Sequence, residues 1–139
     1  MPEKETLQRA KEDLREGKSP TTAAGEFVHE EIEHVREGKH GARSTKQAIA
    51  IGLSKARRAG IPLKPPAAGQ TSEKTRRAAQ RAYEAGSHKG GAKKASRKRQ
   101  VSSHRALERE STSTVSRKAL SKQAKSAARR RRTRARSAK

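Results

Sequence analysis

The chain has 139 residues and a formal net charge of +22, and only 29% of its residues are hydrophobic and 1% aromatic. This composition excludes one large hydrophobic core along the whole chain, and the basic excess favours polyanionic partners. The absence of cysteine excludes disulfides and thiolate metal sites. We expect no cofactor and no small-molecule substrate. We also expect no membrane partner, because no run approaches the length of a membrane span and the N-terminus has no apolar segment typical of a signal peptide.

The charge is divided unevenly along the chain. Residues 1–37 have ten acidic against six basic residues, residues 38–63 have six basic and no acidic ones, and residues 64–139 have 24 basic against four acidic ones. These changes predict three units. A short N-terminal helix and linker occupy 1–19, a helix–basic loop–helix unit occupies 20–63, and a basic, low-complexity tail with transient helices occupies 64–139.

The first unit is predicted to be a short helix over residues 3–16 that ends at Gly17. A second helix, capped by Thr21 or Thr22, runs to Glu37. Its apolar side consists of Ala24, Val28, Ile32 and Val35, with Phe27 at the edge. The opposite side carries what we call the acidic ridge, which consists of Glu26, Glu30, Glu33 and Glu37. Two interpretations stay open for this ridge: a solubilising surface, or an internal phosphate mimic that competes for the basic tail.

The third predicted helix has the clearest start and stop signals. Ser44 and Gln47 match a capping box, and Gly60 followed by Pro62 ends the helix. Its predicted buried face consists of Ala48, Ile49, Gly52, Leu53, Ala56 and Ala59. The short connection predicts that this helix lies antiparallel to the second. We call the predicted core and partner-binding residues of this pair the seam: Phe27, Val28, Ile32, Val35, Ile49 and Leu53.

The run EFVHEEIEHVREGKHGARSTKQAIAIGLSKARRAG, above all KQAIAIGLSKARRAG, resembles a family of small, highly basic, uncharacterised bacterial proteins over roughly residues 20–63. The resemblance implies a bacterial cytoplasmic setting and a DNA-associated role, and it transfers no site residue. The tail resembles the lysine-rich tails of linker histones in composition only.

The tail has few large apolar residues with which to build a core. We predict a helix over 72–85 and helical tendency around Leu107 and over 114–132, and we expect the tail to be largely disordered or transiently helical without a ligand. The predicted fold class is all-α: a small antiparallel helical pair with a short N-terminal helix, followed by this tail.

At first sight, a metal site is suggested by four residues of the second helix: His29, Glu30, Glu31 and His34. The zinc-protease motif needs histidines four residues apart on one helical face, whereas these are five apart and diverge. We therefore predict no metal site here. No catalytic constellation is present either, and we expect the protein not to be an enzyme.

The leading hypothesis is a sequence-tolerant DNA-binding protein of the nucleoid-associated or histone-like type, located in the cytoplasm at the bacterial nucleoid. The alternatives are an RNA- or ribosome-binding protein, and a protein-interaction module in which the tail only localises the seam. Self-association through the central helices would help a marginal core. The predicted nucleic-acid-binding residues are Lys39, His40, Arg43, Lys46, Lys55, Arg57, Arg58, Lys93, Lys94, Arg97, Lys98, Arg99, Arg117, Lys118, Lys122, Lys125, Arg129, Arg130, Arg131, Arg132, Arg134 and Arg136.

Overall fold

A computed structural model describes residues 3–87 and 96–137 of the chain. Within these ranges the protein is all-helical, as the sequence predicts, and has no β-strand. The helices are α1 (Lys4–Arg15), α2 (Pro20–Arg36), α3 (Thr45–Arg58), α4 (Glu73–Ser87), α5 (Arg97–Glu108) and α6 (Arg117–Ser137), and a short 3-10 helix (Ser113–Val115) precedes α6.

The ends of α2 and α3 follow from local side-chain and glycine chemistry. Ser19, not a threonine, caps α2, and its Oγ accepts a hydrogen bond from the backbone N–H of Thr22 at 3.3 Å. Ser44 Oγ accepts from the N–H of Gln47 at 3.1 Å, which confirms the predicted start of α3. Gly38 and Gly60 follow the two helices with positive φ, a conformation that glycine adopts without strain.

The central helices α2 and α3 are antiparallel, because residues early in α2 pack against residues late in α3. Phe27 clusters with Ala56, whereas Val35 clusters with Ala48. Between them the backbones approach so closely that a Cβ on Gly52 would lie 2.6 Å from Val28 Cα. Small residues thus bring the two helices together, and the predicted pair is confirmed.

Phe27, which the sequence predicts at the edge of the apolar face of α2, is fully buried. It is covered by α1 as well as by α3, because residues of both helices cluster with it. The core around Phe27 therefore takes side chains from three helices and from the segment after α3: Ala10, Ala23, Ala24, Ala56 and Ile61, with Leu7, Leu14, Leu53, Ala59 and Leu63 partly buried around them.

The same position of α1 breaks the acidic ridge. Glu30 is only 5% exposed and accepts a hydrogen bond from the backbone N–H of Glu3 at 2.6 Å. Glu26 pairs with Arg9 of α1 at 3.0 Å. The ridge is thus an interface between helices at these two positions, and it is not a continuous solvent-facing stripe.

The prediction that the tail is largely disordered is wrong for residues 64–87 and 96–137, because the structure shows three helices there. Helix α4 begins after Ser72, whose Oγ accepts from the N–H of Thr75, and it buries Ala79 and Ala82 against α3. The segment after α5 is tied to the loop before α3: Gly41 N–H donates to Leu107 O at 2.8 Å, and Ala42 N–H donates to Ser111 O at 2.9 Å.

Val115 completes this attachment. It is 1% exposed and joins Val35, Ala42 and Ala48 in a second small core, with Ile32 partly buried beside it. In contrast, α5 and α6 have no buried residue. Hydrogen bonds of Thr114 to Ala42 and Thr45 add to this attachment. The part of the tail after α4 is therefore anchored near the loop before α3, and its two basic helices stay on the surface.

Candidate nucleic-acid interface

Helix α6 is the most strongly basic element. It has 21 residues, of which ten are Lys or Arg and none is Asp or Glu. At 1.5 Å per residue the helix is about 30 Å long. Ala119, Leu120 and Ala127 are half-buried on the side towards the rest of the protein, whereas every residue from 129 to 137 is exposed.

The cations of α5 and α6 have no acidic partners among the residues that the structure describes. No ion pair there involves a Lys or Arg of either helix. The guanidinium group of Arg134 donates to Gln70 O at 3.3 Å, which leaves its charge uncompensated. The two helices thus present a dense positive surface, and their one acidic residue, Glu108, lies 2.9 Å from His104.

Several cations of the N-terminal helices and of α4 are, by comparison, neutralised within the protein. Lys18 lies 2.9 Å from Asp13, and its hydrogen bonds to Asp13 and Glu16 raise the pKa of its ammonium group. Arg76 forms two 3.0 Å hydrogen bonds to Glu73, which lower the pKa of that carboxyl group and raise the pKa of Arg76. These cations have less charge to offer a polyanion.

Most of the predicted nucleic-acid-binding residues are exposed. Lys39 is exposed but pairs with Glu37 at 3.3 Å. Lys93 and Lys94 lie outside the described residues. The remaining exposed members are Arg43, Lys46, Arg58, Arg97, Lys98, Arg99, Arg117, Lys118, Lys122, Lys125, Arg129, Arg130, Arg131, Arg132, Arg134 and Arg136.

Three members of the predicted set have internal roles instead. His40 is 7% exposed, and its Nε2 lies 2.9 Å from Glu31 Oε1. Lys55 donates to Glu31 Oε2 at 2.6 Å. Both side chains turn inward because Glu31, on α2, is 1% exposed and a buried carboxylate requires partners. They are therefore removed from the candidate surface.

Arg57 is the third predicted nucleic-acid-binding residue with an internal role, and it differs from its exposed neighbour Arg58. It is 8% exposed, and its guanidinium group donates to Leu63 O at 3.2 Å and to Lys64 O at 3.4 Å. Burial lowers the pKa of Arg57 from its ordinary value. The side chain fastens the segment that leaves α3, and this contact takes it away from phosphate.

The structure adds cations on α4 that the sequence reasoning did not select. Arg77 and Arg81 are exposed and, with Arg76 and Gln80, line a shallow cleft of about 250 Å³. Arg77 lies 3.8 Å from Glu73. The spacing of four residues between Arg77 and Arg81 within a predicted helix was the available signal, because it places both side chains on one face.

Comparison with known proteins gives a family without an assigned role. The model of a family of unknown function, DUF6496, matches residues 4–67. This agrees with the resemblance to an uncharacterised family and extends it to α1, while the helices α4 to α6 lie outside the match. Neither the curated proteins nor the solved structures contain a match to the chain. None of the described helices has the length and apolar character needed to cross a membrane.

Proposed function

We propose that the protein binds duplex DNA without strong sequence preference, through phosphate contacts made by α6 and α5. The observation that carries this proposal is that α6 exposes ten basic residues and meets no acidic partner among the described residues. Lysine and arginine that neutralise phosphates release condensed counterions, and this gain requires no particular base sequence.

The directions of the α6 side chains favour a duplex over a flat anionic surface. Successive residues of a helix project about 100° apart, so the exposed run Arg129–Arg130–Arg131–Arg132 points to several sides of the helix. A helix in the major groove has phosphate backbones on both sides. A cationic helix that is basic all round can therefore contact both walls of the groove, whereas a flat surface would leave part of its charge unused.

In this proposal the N-terminal helices hold and position the basic ones. Phe27 and Val35 of the seam are fully buried within the protein, and this argues against the seam as the main surface for a partner protein. DNA binding of this type would place the protein at the bacterial nucleoid. Structured RNA offers similar phosphates and is an outcome that the experiment distinguishes.

The test compares two charge-matched variants of the full chain. Changing Arg130, Arg131 and Arg132 to Gln removes three cations from α6, and changing Lys4, Lys11 and Arg15 to Gln removes three exposed cations from α1. Binding of a labelled duplex is followed by fluorescence anisotropy over a range of salt concentrations. We expect the α6 variant to lose about 2 to 3 units of the log–log salt slope, at about 0.9 per phosphate contact, and the α1 variant to keep the wild-type slope.

Equal slopes in the two variants would contradict the assignment of the contact to α6. Competition with an RNA hairpin of equal charge decides between the two nucleic acids. Displacement of the duplex by a much lower concentration of the hairpin would overturn the preference for DNA and support the RNA-binding alternative.

A further inference from the structure

Three potential metal ligands meet beside the loop that connects α2 and α3. Glu31 and His34 lie three residues apart on α2, which places them on the same face of the helix. His40 comes from the loop. Each residue offers one ligand atom, and the three atoms lie within 4.8 Å of one another. Glu31 and His40 are buried and His34 is half-buried, so the cluster is built into the fold.

The orientation of His40 is typical of a metal-binding histidine. Its Nδ1 donates a hydrogen bond to Gly41 O at 2.8 Å. Histidine ligands commonly donate the second ring N–H to a backbone carbonyl, which directs the other nitrogen at the metal. The other nitrogen here, Nε2, lies 2.9 Å from Glu31 Oε1. Either a proton on Nε2 or a metal ion can join these two atoms.

Two ammonium groups, those of Lys39 and Lys55, line the same cavity, and both are paired with carboxylates. Lys55 Nζ contacts Glu31 Oε2 and not Oε1. The Lys39 ammonium group lies 3.3 Å from Glu37 and 4.0 Å from Glu3, which itself lies 3.5 Å from His34 Nε2.

A second carboxylate near His34 lacks a full set of partners. Glu30 is 5% exposed, and its Oε2 has no hydrogen-bond partner within the described part of the chain. Glu3, Glu30 and His34 also bring their ligand atoms within 4.8 Å of one another. A buried carboxylate oxygen without a partner is costly. Its presence strengthens the negative potential next to His34, which favours a bound cation.

The cluster opens into a cavity that can admit an ion and a further ligand. The cavity has a volume of about 350 Å³, and its lining includes Glu31, His34 and His40 together with His104 of α5. The ring centroids of His34 and His40 are 6.2 Å apart, and those of His40 and His104 are 6.3 Å apart. Access from the solvent and a position for a water molecule are therefore both available.

We infer that Glu31, His34 and His40 bind a divalent transition-metal ion of the Zn²⁺ class. Two imidazoles and a carboxylate are ligands that suit zinc, and three protein ligands leave a fourth tetrahedral position open. Ligand atoms at about 2.0–2.2 Å from one ion are about 3.3 Å apart. In the present structure His40 Nε2 and Glu31 Oε1 are 2.9 Å apart and all three ligand atoms lie within 4.8 Å of one another, so metal binding requires only local movement of side chains.

This site differs from the arrangement of His29, Glu30, Glu31 and His34 that we considered and rejected from the sequence. His29 is exposed and does not take part, and His34 is joined by His40 from the loop instead. A metal ion here would fasten the loop to α2, next to the point where the segment after α5 docks. A small alanine-rich core gains stability from such a metal link.

The experiment uses the full chain without an affinity tag and without nucleic acid, so its result does not depend on DNA binding. Isothermal titration calorimetry with Zn²⁺ measures stoichiometry and affinity, and Co²⁺ gives a visible absorption spectrum that reports the coordination geometry. We expect one Zn²⁺ per chain, a higher melting temperature in its presence, and a Co²⁺ spectrum characteristic of tetrahedral coordination.

The variants His34→Gln and His40→Gln should each lower the affinity for Zn²⁺ by at least about tenfold, whereas His29→Gln should bind as the wild type does. His40 is buried and its variant can lose the fold, so circular dichroism is recorded before titration. The half-buried His34 provides the decisive variant. Absence of stoichiometric Zn²⁺ binding, or equal affinity in His34→Gln and His29→Gln, would overturn the inference.

Discussion

The N-terminal helices α1 to α3 and the C-terminal helices α5 and α6 use charge in opposite ways. In the first region several charges are paired across helices, as in Arg9 with Glu26 and Lys55 with Glu31. In the second region the cations have no acidic partners among the described residues, and neither helix has a buried residue. The difference is the basis of the proposal that the second region contacts phosphate, whereas the charges of the first region contribute to its own fold.

The core of the N-terminal region depends on its one aromatic residue. Phe27→Ala would remove a fully buried ring from the cluster shared by α1, α2 and α3. We expect a loss of about 3–5 kcal/mol in the free energy of unfolding, measured by urea denaturation and circular dichroism. Val101→Ala, which truncates a 41% exposed side chain on α5, should change it by less than about 0.5 kcal/mol. Similar losses in both variants would contradict the contrast between the regions.

Arg57 and Arg58 test the contrast within a single helix. Arg57→Ala would leave the carbonyl groups of residues 63 and 64 without their charged donor, at a cost of about 1–3 kcal/mol in the free energy of unfolding. Arg58→Ala changes an exposed side chain and should leave stability within about 0.5 kcal/mol of the wild type. If Arg57→Ala weakened DNA binding and left stability unchanged, the internal role of Arg57 would be wrong.

Two helical glycines sharpen the account of how α2 meets α3. A Cβ on Gly52 would collide with the Val28 backbone, whereas a Cβ on Gly25 would meet nothing within 4 Å. Gly25→Ala should therefore stabilise the protein by about 0.5–1 kcal/mol through helix propensity. Gly52→Ala should destabilise it by about 1 kcal/mol or more, because the helices must separate. Thermal unfolding of both variants checks the opposite signs, and a gain in stability for Gly52→Ala would rule out the close approach.

Local chemistry made much of the N-terminal fold predictable. Ser44 and Gly60 mark the ends of α3 by capping and by positive φ, and the apolar periodicity gave the antiparallel pair. The docking of the segment between α5 and α6 was not predictable in this way, because it relies on backbone hydrogen bonds from Gly41 and Ala42, on hydroxyl hydrogen bonds of Thr45 and Thr114, and on the buried side chain of Val115. Such contacts leave no hydrophobic pattern in the sequence.

The same limit applies to the charged residues. A helical wheel describes each helix by itself, so it placed Glu30 and Arg57 on solvent-facing sides. Helix α1 covers Glu30, and the segment after α3 returns to meet Arg57. The exposed cations of α6 were predictable by contrast, because a helix with ten basic residues and few large apolar ones has little reason to be buried.

The most direct test of phosphate-driven binding is the salt dependence of wild-type affinity for two duplexes of equal length and unrelated sequence. If the basic helices contact about 6 to 10 phosphates, log K should fall with log salt concentration with a slope of roughly −5 to −9 on both duplexes. The two affinities should agree within about tenfold, since one or two base-specific contacts would already exceed this difference. A slope near zero, or affinity confined to one of the two sequences, would contradict the account.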